Sequence, residues 1–158
     1  ATVVIPVYIG LFLASLGLLR DARQGEWWVF FALVTTWAYD TGAYASGRLF
    51  GRHPFMAHVS PKKTAEGVAG GLVTATVAGT FAAPVIGIQL WQALLLGLLA
   101  GAVAQAGDLL ESMVKRNGNV KDSGAIIPGH GGLLDRIDSL LFVAPFFLLM
   151  AFALSYGP

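Results

Sequence analysis

Five long apolar runs joined by short polar connections occupy nearly all of this 158-residue chain. A bilayer core about 30 Å thick is crossed by about 20 apolar residues of helix. The runs have that length and fall at about 2–19, 27–47, 67–88, 90–115 and 134–156. Apolar residues make up 56% of the chain and charged residues only 12%, against about 25% charged in an ordinary soluble domain. A chain this short buries roughly 70% of its unfolded surface, so so many apolar residues cannot all enter one core. A mean hydropathy of +0.69 points to lipid as the solvent for much of the outside. The expected fold is all-α, a polytopic transmembrane bundle of about five membrane helices forming a single domain over 1–158. The chain begins with Ala1, and its first run has neither the basic start nor the cleavage site of a signal peptide. The expectation is the C-terminal part of a longer protein.

The polar connections differ in charge from one side to the other. Arg48, Arg52, Lys62 and Lys63 flank or fill the connection between the second and third runs, and Lys115, Arg116 and Lys121 that between the fourth and fifth. The opposite side has Arg20 and Arg23. The positive-inside rule makes the two basic loops cytoplasmic, in an inner (cytoplasmic) membrane, with the N-terminus also inside and Pro158 outside. Trp27, Trp28 and Tyr156 stand where an interfacial aromatic belt would sit. The pairs Gly47/Gly51, Gly67/Gly71 and Gly97/Gly101 suit close helix packing. A net charge of +1 argues against a nucleic-acid partner, and the lack of cysteine excludes disulfides and thiolate chemistry.

Ionisable groups at membrane depth cost about 2.5–3.5 kcal/mol each on the insertion scale and need a reason. Asp40 lies within the second run, where a cation site and a structural partner role for neighbouring helices are equally open. On the fourth run Asp108, Glu111, Ser112 and Lys115 share one helical face. Asp135 and Asp138 share a face at the start of the fifth, with Arg136 turned elsewhere. The loop between these stripes carries Lys121, Asp122, His130 and the glycines Gly124, Gly129, Gly131 and Gly132, so its backbone can fold closely against a ligand. Asp108 to Asp138 contains five acids and four bases. That mixture suits a substrate with several phosphates: carboxylates hold Mg²⁺, and Lys, Arg and glycine amides take the remaining phosphate oxygens. The bland reading of the stripes is an interhelical salt-bridge network. Lys62 and Lys63, just ahead of a helix N-terminus, suit an anion or simply anchor to acidic lipid. His130 is equally suited to bracing the loop and to contacting phosphate.

The stretches Gly107-Asp108-Leu109-Leu110-Glu111-Ser112, Lys115-Arg116, Lys121-Asp122-Ser123-Gly124 and Pro128-Gly129-His130-Gly131-Gly132-Leu133-Leu134-Asp135-Arg136-Ile137-Asp138-Ser139 closely resemble the signature of the phosphatidate cytidylyltransferases. Asp40-Thr41-Gly42-Ala43-Tyr44 with Gly47-Arg48, and Ser60-Pro61-Lys62-Lys63-Thr64 with Glu66-Gly67, are similar to the family too. Ala65 stands where the family often has Trp. The resemblance spans about 40–139 and implies transfer of CMP from CTP to phosphatidic acid, giving CDP-diacylglycerol and pyrophosphate for phospholipid biosynthesis. It implies Mg²⁺, with a second cation in view, held by Asp108 and Asp135 with Asp122 and Asp138 in support and Ser112 as a weaker ligand. Asp108, Asp135, Lys115, Lys121 and Asp138 become the catalytic candidates. Lys62, Lys63, Ser112, Arg116, His130, Gly131, Gly132 and Arg136 become substrate-binding candidates, in a protein whose partners are CTP, phosphatidic acid, the bilayer and a second copy in a homodimer. Two neighbouring readings are a CTP-dependent lipid kinase and a CDP-archaeol-type synthase. A membrane cation transporter using Asp40 and Asp108 is the alternative of another class, and it leaves the glycine-rich loop unexplained.

Overall fold

The computed structural model describes residues 4–60, 62–118 and 134–156, with the side chains at 4–8, 82, 134–138 and 155–156 outside that description. It is built from five helices: α1 Val4–Asp21, α2 Gly25–Phe50, α3 Ala65–Ile86, α4 Leu90–Asn117 and α5 Leu134–Tyr156. Each coincides with one of the apolar runs, whose backbone groups are satisfied within the helix itself. Among the described residues, α4 is the helix long and apolar enough to cross a membrane by length and composition, and 139–154 is a shorter apolar stretch.

Sharp turns set the order of packing. The N-cap Thr64 starts α3 by accepting from the Gly67 amide at 3.2 Å. Gly87 stops it at φ 77, a left-handed cap in which its N–H bonds the Ala83 carbonyl at 3.0 Å. After three residues the chain returns as α4. α3 packs most extensively on α2 and next on α4, while α5 lies against α1, α2 and α4.

Small residues make the α2–α3 and α3–α4 seams close, as their spacing foretells. A Cβ added to Gly67 would stand 2.9 Å from the Ala43 carbonyl oxygen and 3.3 Å from the Gly47 Cα. One added to Gly97 would stand 2.8 Å from both the Ala75 oxygen and the Thr76 Cα. Thr74 of α3 donates to the Ala38 carbonyl of α2 at 2.8 Å, a polar tie across the same seam.

The core runs through Leu19, Phe31, Tyr39, Ala75, Ala100 and Phe147. Trp28 belongs to it, correcting its place in an interfacial belt. It is 2% exposed against 42% for Trp27, and its ring lies 6.1 Å from both Phe31 and Phe147. Neighbouring helical positions point about 100° apart, so when Trp27 faces outward Trp28 turns into the bundle. Outward faces are apolar on several helices, with Leu11, Phe30, Trp37, Val73, Phe81, Leu98 and Leu149 all exposed.

Candidate active site

The connection between α2 and α3 folds as a closed hairpin rather than an open loop. Pro54 and Thr64 form an antiparallel bridge, the Phe55 amide donates to the Lys63 carbonyl at 2.8 Å, and the Ala65 amide donates to that of His53 at 2.9 Å. Glu66, in the first turn of α3 ahead of its apolar part, clamps the base of this hairpin. Its carboxylate accepts from the His53 ring Nδ1 at 2.5 Å and from the Arg52 and His53 amides at 3.1 and 3.3 Å. The His53 bond first, and the Arg52 amide after it, lower the Glu66 carboxyl to about 2 from its ordinary 4.5.

The first-turn amides of α3 are already spoken for. Ala65 donates to His53, Glu66 to its own carboxylate, Gly67 to the Thr64 hydroxyl and Val68 to the Thr64 carbonyl. An anion arriving here meets the lysines, not a free helix N-terminus, which corrects the anion-receiving role expected of that terminus.

Lys63 leaves the hairpin and reaches α4, where its Nζ lies 2.6 Å from Oδ2 of Asp108. The pair sits in the wall of a cavity of about 560 Å³ between α2, α3 and α4. Tyr39, Asp40, Tyr44 and Arg48 line it from α2, Lys62, Lys63 and Thr64 from the hairpin, and Gln105 and Asp108 from α4. Two carboxylates therefore face three cations across one space, the mixed field that crowded phosphates and a divalent cation both require. Arg48 is steadied by donating to the Tyr44 hydroxyl at 3.0 Å. Asp40 bonds the Ser139 hydroxyl of α5, so a fourth helix supports the wall. At the inner end the Tyr39 hydroxyl donates to Oε1 of Gln105.

Among the sequence candidates, the structure brings Asp108, Lys62 and Lys63 together with Asp40. Lys63 therefore turns into the cavity wall, with its ammonium on Asp108. Lys115 instead pairs with Glu111 of its own helix at 2.8 Å. Arg116 extends its Nε to the Val59 carbonyl at 3.5 Å, tying α4 to the hairpin. Neither Lys115 nor Arg116 lines the cavity, and nor does the half-buried Ser112. Lys121, Asp122, His130, Gly131 and Gly132 lie outside the described residues. Asp135, Arg136 and Asp138 belong to the first turns of α5, with side chains outside the description.

Arg48, Tyr39 and Gln105 are the additions that sequence reasoning missed. The signal for Gln105 was present: it stands three residues before Asp108, so the polar stripe of α4 continues one turn deeper than its charged members suggest.

Comparison with known proteins covers all of these elements. The profile of the cytidylyltransferase family matches residues 1–154. A phosphatidate cytidylyltransferase of Bacillus subtilis is 44% identical over 152 residues, 93% of this chain and 56% of that protein. That of Mycobacterium bovis is 44% identical over 145 residues, 89% of this chain and 46% of its own length. A third, from Staphylococcus saprophyticus, is 41% identical over 140 residues, 87% of this chain and 53% of that protein. The chain thus spans about half the length of the curated relatives it matches. The matched stretch includes every helix that walls the cavity, and the chain belongs to the cytidylyltransferase family.

Proposed function

We propose that the protein is the catalytic part of a phosphatidate cytidylyltransferase, which transfers CMP from CTP to phosphatidic acid and releases pyrophosphate. One observation carries the reading: a cavity of about 560 Å³ in which Asp40 and Asp108 face Arg48, Lys62 and Lys63, within a chain of this family. The proposal includes insertion of all five helices in the inner membrane, with the hairpin at 51–64 in the cytoplasm. Its support is the apolar outer face and the position of both basic connections. Arg116 at the end of α4 touches Val59 of the hairpin, so the two basic regions share one end of the bundle. A water-soluble nucleotide and a lipid headgroup would meet there.

The reaction forms one P–O bond and breaks another. A phosphatidate oxygen attacks the α-phosphorus of CTP, and the bond to the β-phosphate oxygen breaks with its electron pair leaving on pyrophosphate. A phosphomonoester with a second pKa near 6 is mostly dianionic at pH 7, so the attacking oxygen needs no strong general base. What the site must provide is position and charge neutralisation. Lys62, Lys63 and Arg48 would hold the phosphates from the hairpin and α2. Lys63, already paired with Asp108, fixes where that cationic wall stands relative to α4.

The oxygen-only donors Asp40 and Asp108, open on one cavity, fit a hard cation such as Mg²⁺. Asp108 would hold it together with Asp135, supported by Asp122 and Asp138. Bound there, the ion supplies neutralisation of phosphate charge in the transition state.

Incorporation of labelled CMP from CTP into phosphatidate by the purified protein, with and without Mg²⁺, tests the reading. Stoichiometric pyrophosphate is the expected co-product. CDP in its place would make the enzyme a kinase, and no CTP-dependent labelling of lipid would sink the proposal.

A further inference from the structure

We propose that Gln105 is a substrate-binding residue whose side-chain amide donates to a neutral carbonyl oxygen of the substrate at the inner end of the cavity. Gln105 is 8% exposed, and Tyr39 beside it 1%. The Tyr39 hydroxyl occupies Oε1 of the amide and does not engage its nitrogen. That nitrogen, Nε2, is buried with no hydrogen-bond partner in a side chain that lines the cavity. Buried amide donors are ordinarily satisfied, and the cavity that this side chain lines is where a ligand would bring the acceptor.

Position narrows the chemistry of the acceptor. Gln105 precedes Asp108 by one helical turn on α4, about 4.5 Å farther from the cytoplasmic end at 1.5 Å per residue. The cations Arg48, Lys62 and Lys63 and the Lys63–Asp108 pair stand nearer that end and suit the phosphates. A neutral amide beneath them matches an uncharged C=O. The proposed substrates offer two: the ring carbonyl of cytosine and the acyl-ester carbonyls of phosphatidate. Both are pure acceptors and fit a donor that has none. This inference rests on the proposed transferase reading for the identity of the ligands.

The test uses the detergent-solubilised protein and measures direct binding of CTP, diacyl phosphatidate and its dialkyl-ether analogue, alongside CMP transfer and thermal stability. Gln105→Met keeps the length of the side chain and removes the donor. It also removes the oxygen that the Tyr39 hydroxyl bonds, so a fall in melting temperature is expected from that buried hydroxyl, while one substrate weakens about tenfold, the size of one hydrogen bond, and the other is unchanged. If CTP is the weakened ligand, the base carbonyl is the acceptor. If diacyl phosphatidate is weakened to the level at which wild type binds the ether analogue, the ester carbonyl is. Tyr39→Phe keeps the donor but loses the bond that holds the amide, and is expected to weaken the same ligand by a smaller factor. Unchanged binding of both substrates by Gln105→Met overturns the inference, as does parallel weakening of both, which is the signature of a packing role. Wild-type protein that binds CTP and phosphatidate without transferring CMP overturns the transferase reading instead, and the binding arms still decide the amide contact.

Discussion

The ammonium of Lys63 lies 2.6 Å from a carboxylate oxygen of Asp108, joining the hairpin before α3 to the C-terminal half of α4. Forty-five positions of sequence separate the two residues, and the pair closes the wall of the cavity between them. The side chains are 19% and 30% exposed, so solvent screens the pair only in part.

A double-mutant cycle with Lys63→Met and Asp108→Asn is expected to give a coupling of roughly 0.5–3 kcal/mol in folding stability, read from denaturation in detergent. Additive effects would mean that the ion pair contributes nothing to holding hairpin and helix together.

Asp108→Asn is expected to lose at least about a hundredfold in CMP transfer, by analogy with removing one transition-state donor at about 2.7 kcal/mol. Added Mg²⁺ should restore part of that loss if cation binding is weakened. Near-normal turnover with an unchanged Mg²⁺ requirement would remove Asp108 from the catalytic machinery.

The Glu66 clamp gives a pH dependence with a definite sign. A carboxyl lowered to about 2 from 4.5 adds stability to the hairpin that is complete above pH 4.5 and lost as pH falls towards 2. Protection of the Arg52 and His53 amides from hydrogen exchange should follow that course. Glu66→Gln should reduce the protection at neutral pH, and an unaltered exchange pattern in this variant would mean that the bridge at Pro54 and Thr64 suffices alone.

Two glycines separate packing from propensity. Gly97→Ala puts a methyl against backbone of α3 at 2.8 Å, and overpacking of this kind costs about 1–3 kcal/mol. Gly17 has nothing within 4 Å of an added Cβ, so Gly17→Ala should stabilise α1 by about 0.5–1 kcal/mol. Denaturation of the two variants in detergent checks the contrast, which is lost if both shift the same way.

The lack of cysteine makes topology directly measurable. His58→Cys should resist a membrane-impermeant maleimide in intact cells, and Ile88→Cys should react with it. The reverse pattern would place the cavity on the outer face.

The five helices were legible because each is a long, mostly apolar run; the observed ends differ from the sequence reading by only a few residues, chiefly at the two ends of α2. Asp108 was legible as a charge inside such a run. Its partner was not, because a salt bridge between Lys63 and Asp108 depends on how the hairpin folds back, and local periodicity holds no record of that. Trp28 shows the same limit: a tryptophan near a helix end suits both an interface and a core, and only its phase relative to Phe31 and Phe147 decides. The first turn of α3 looked like an open anion receptor until the His53 carbonyl and the Glu66 carboxylate were found to take its amides.

The glycine seam between α2 and α3 also governs how the cavity can breathe. Backbone meets backbone near Ala43, Gly47 and Gly67, and Thr74 pins the two helices farther along, so sliding or rotating one past the other would collide main chain with main chain at once. α2 and α3 therefore behave as the fixed jaw of a vice. Beside the cavity α4 reaches that jaw through side chains, the Lys63–Asp108 pair and the Tyr39–Gln105 contact, which can lengthen and re-form. Gly97 holds α4 backbone to backbone on α3 away from the cavity, so any change in the width of the mouth falls to the Gln105–Asp108 end of α4 as the moving jaw.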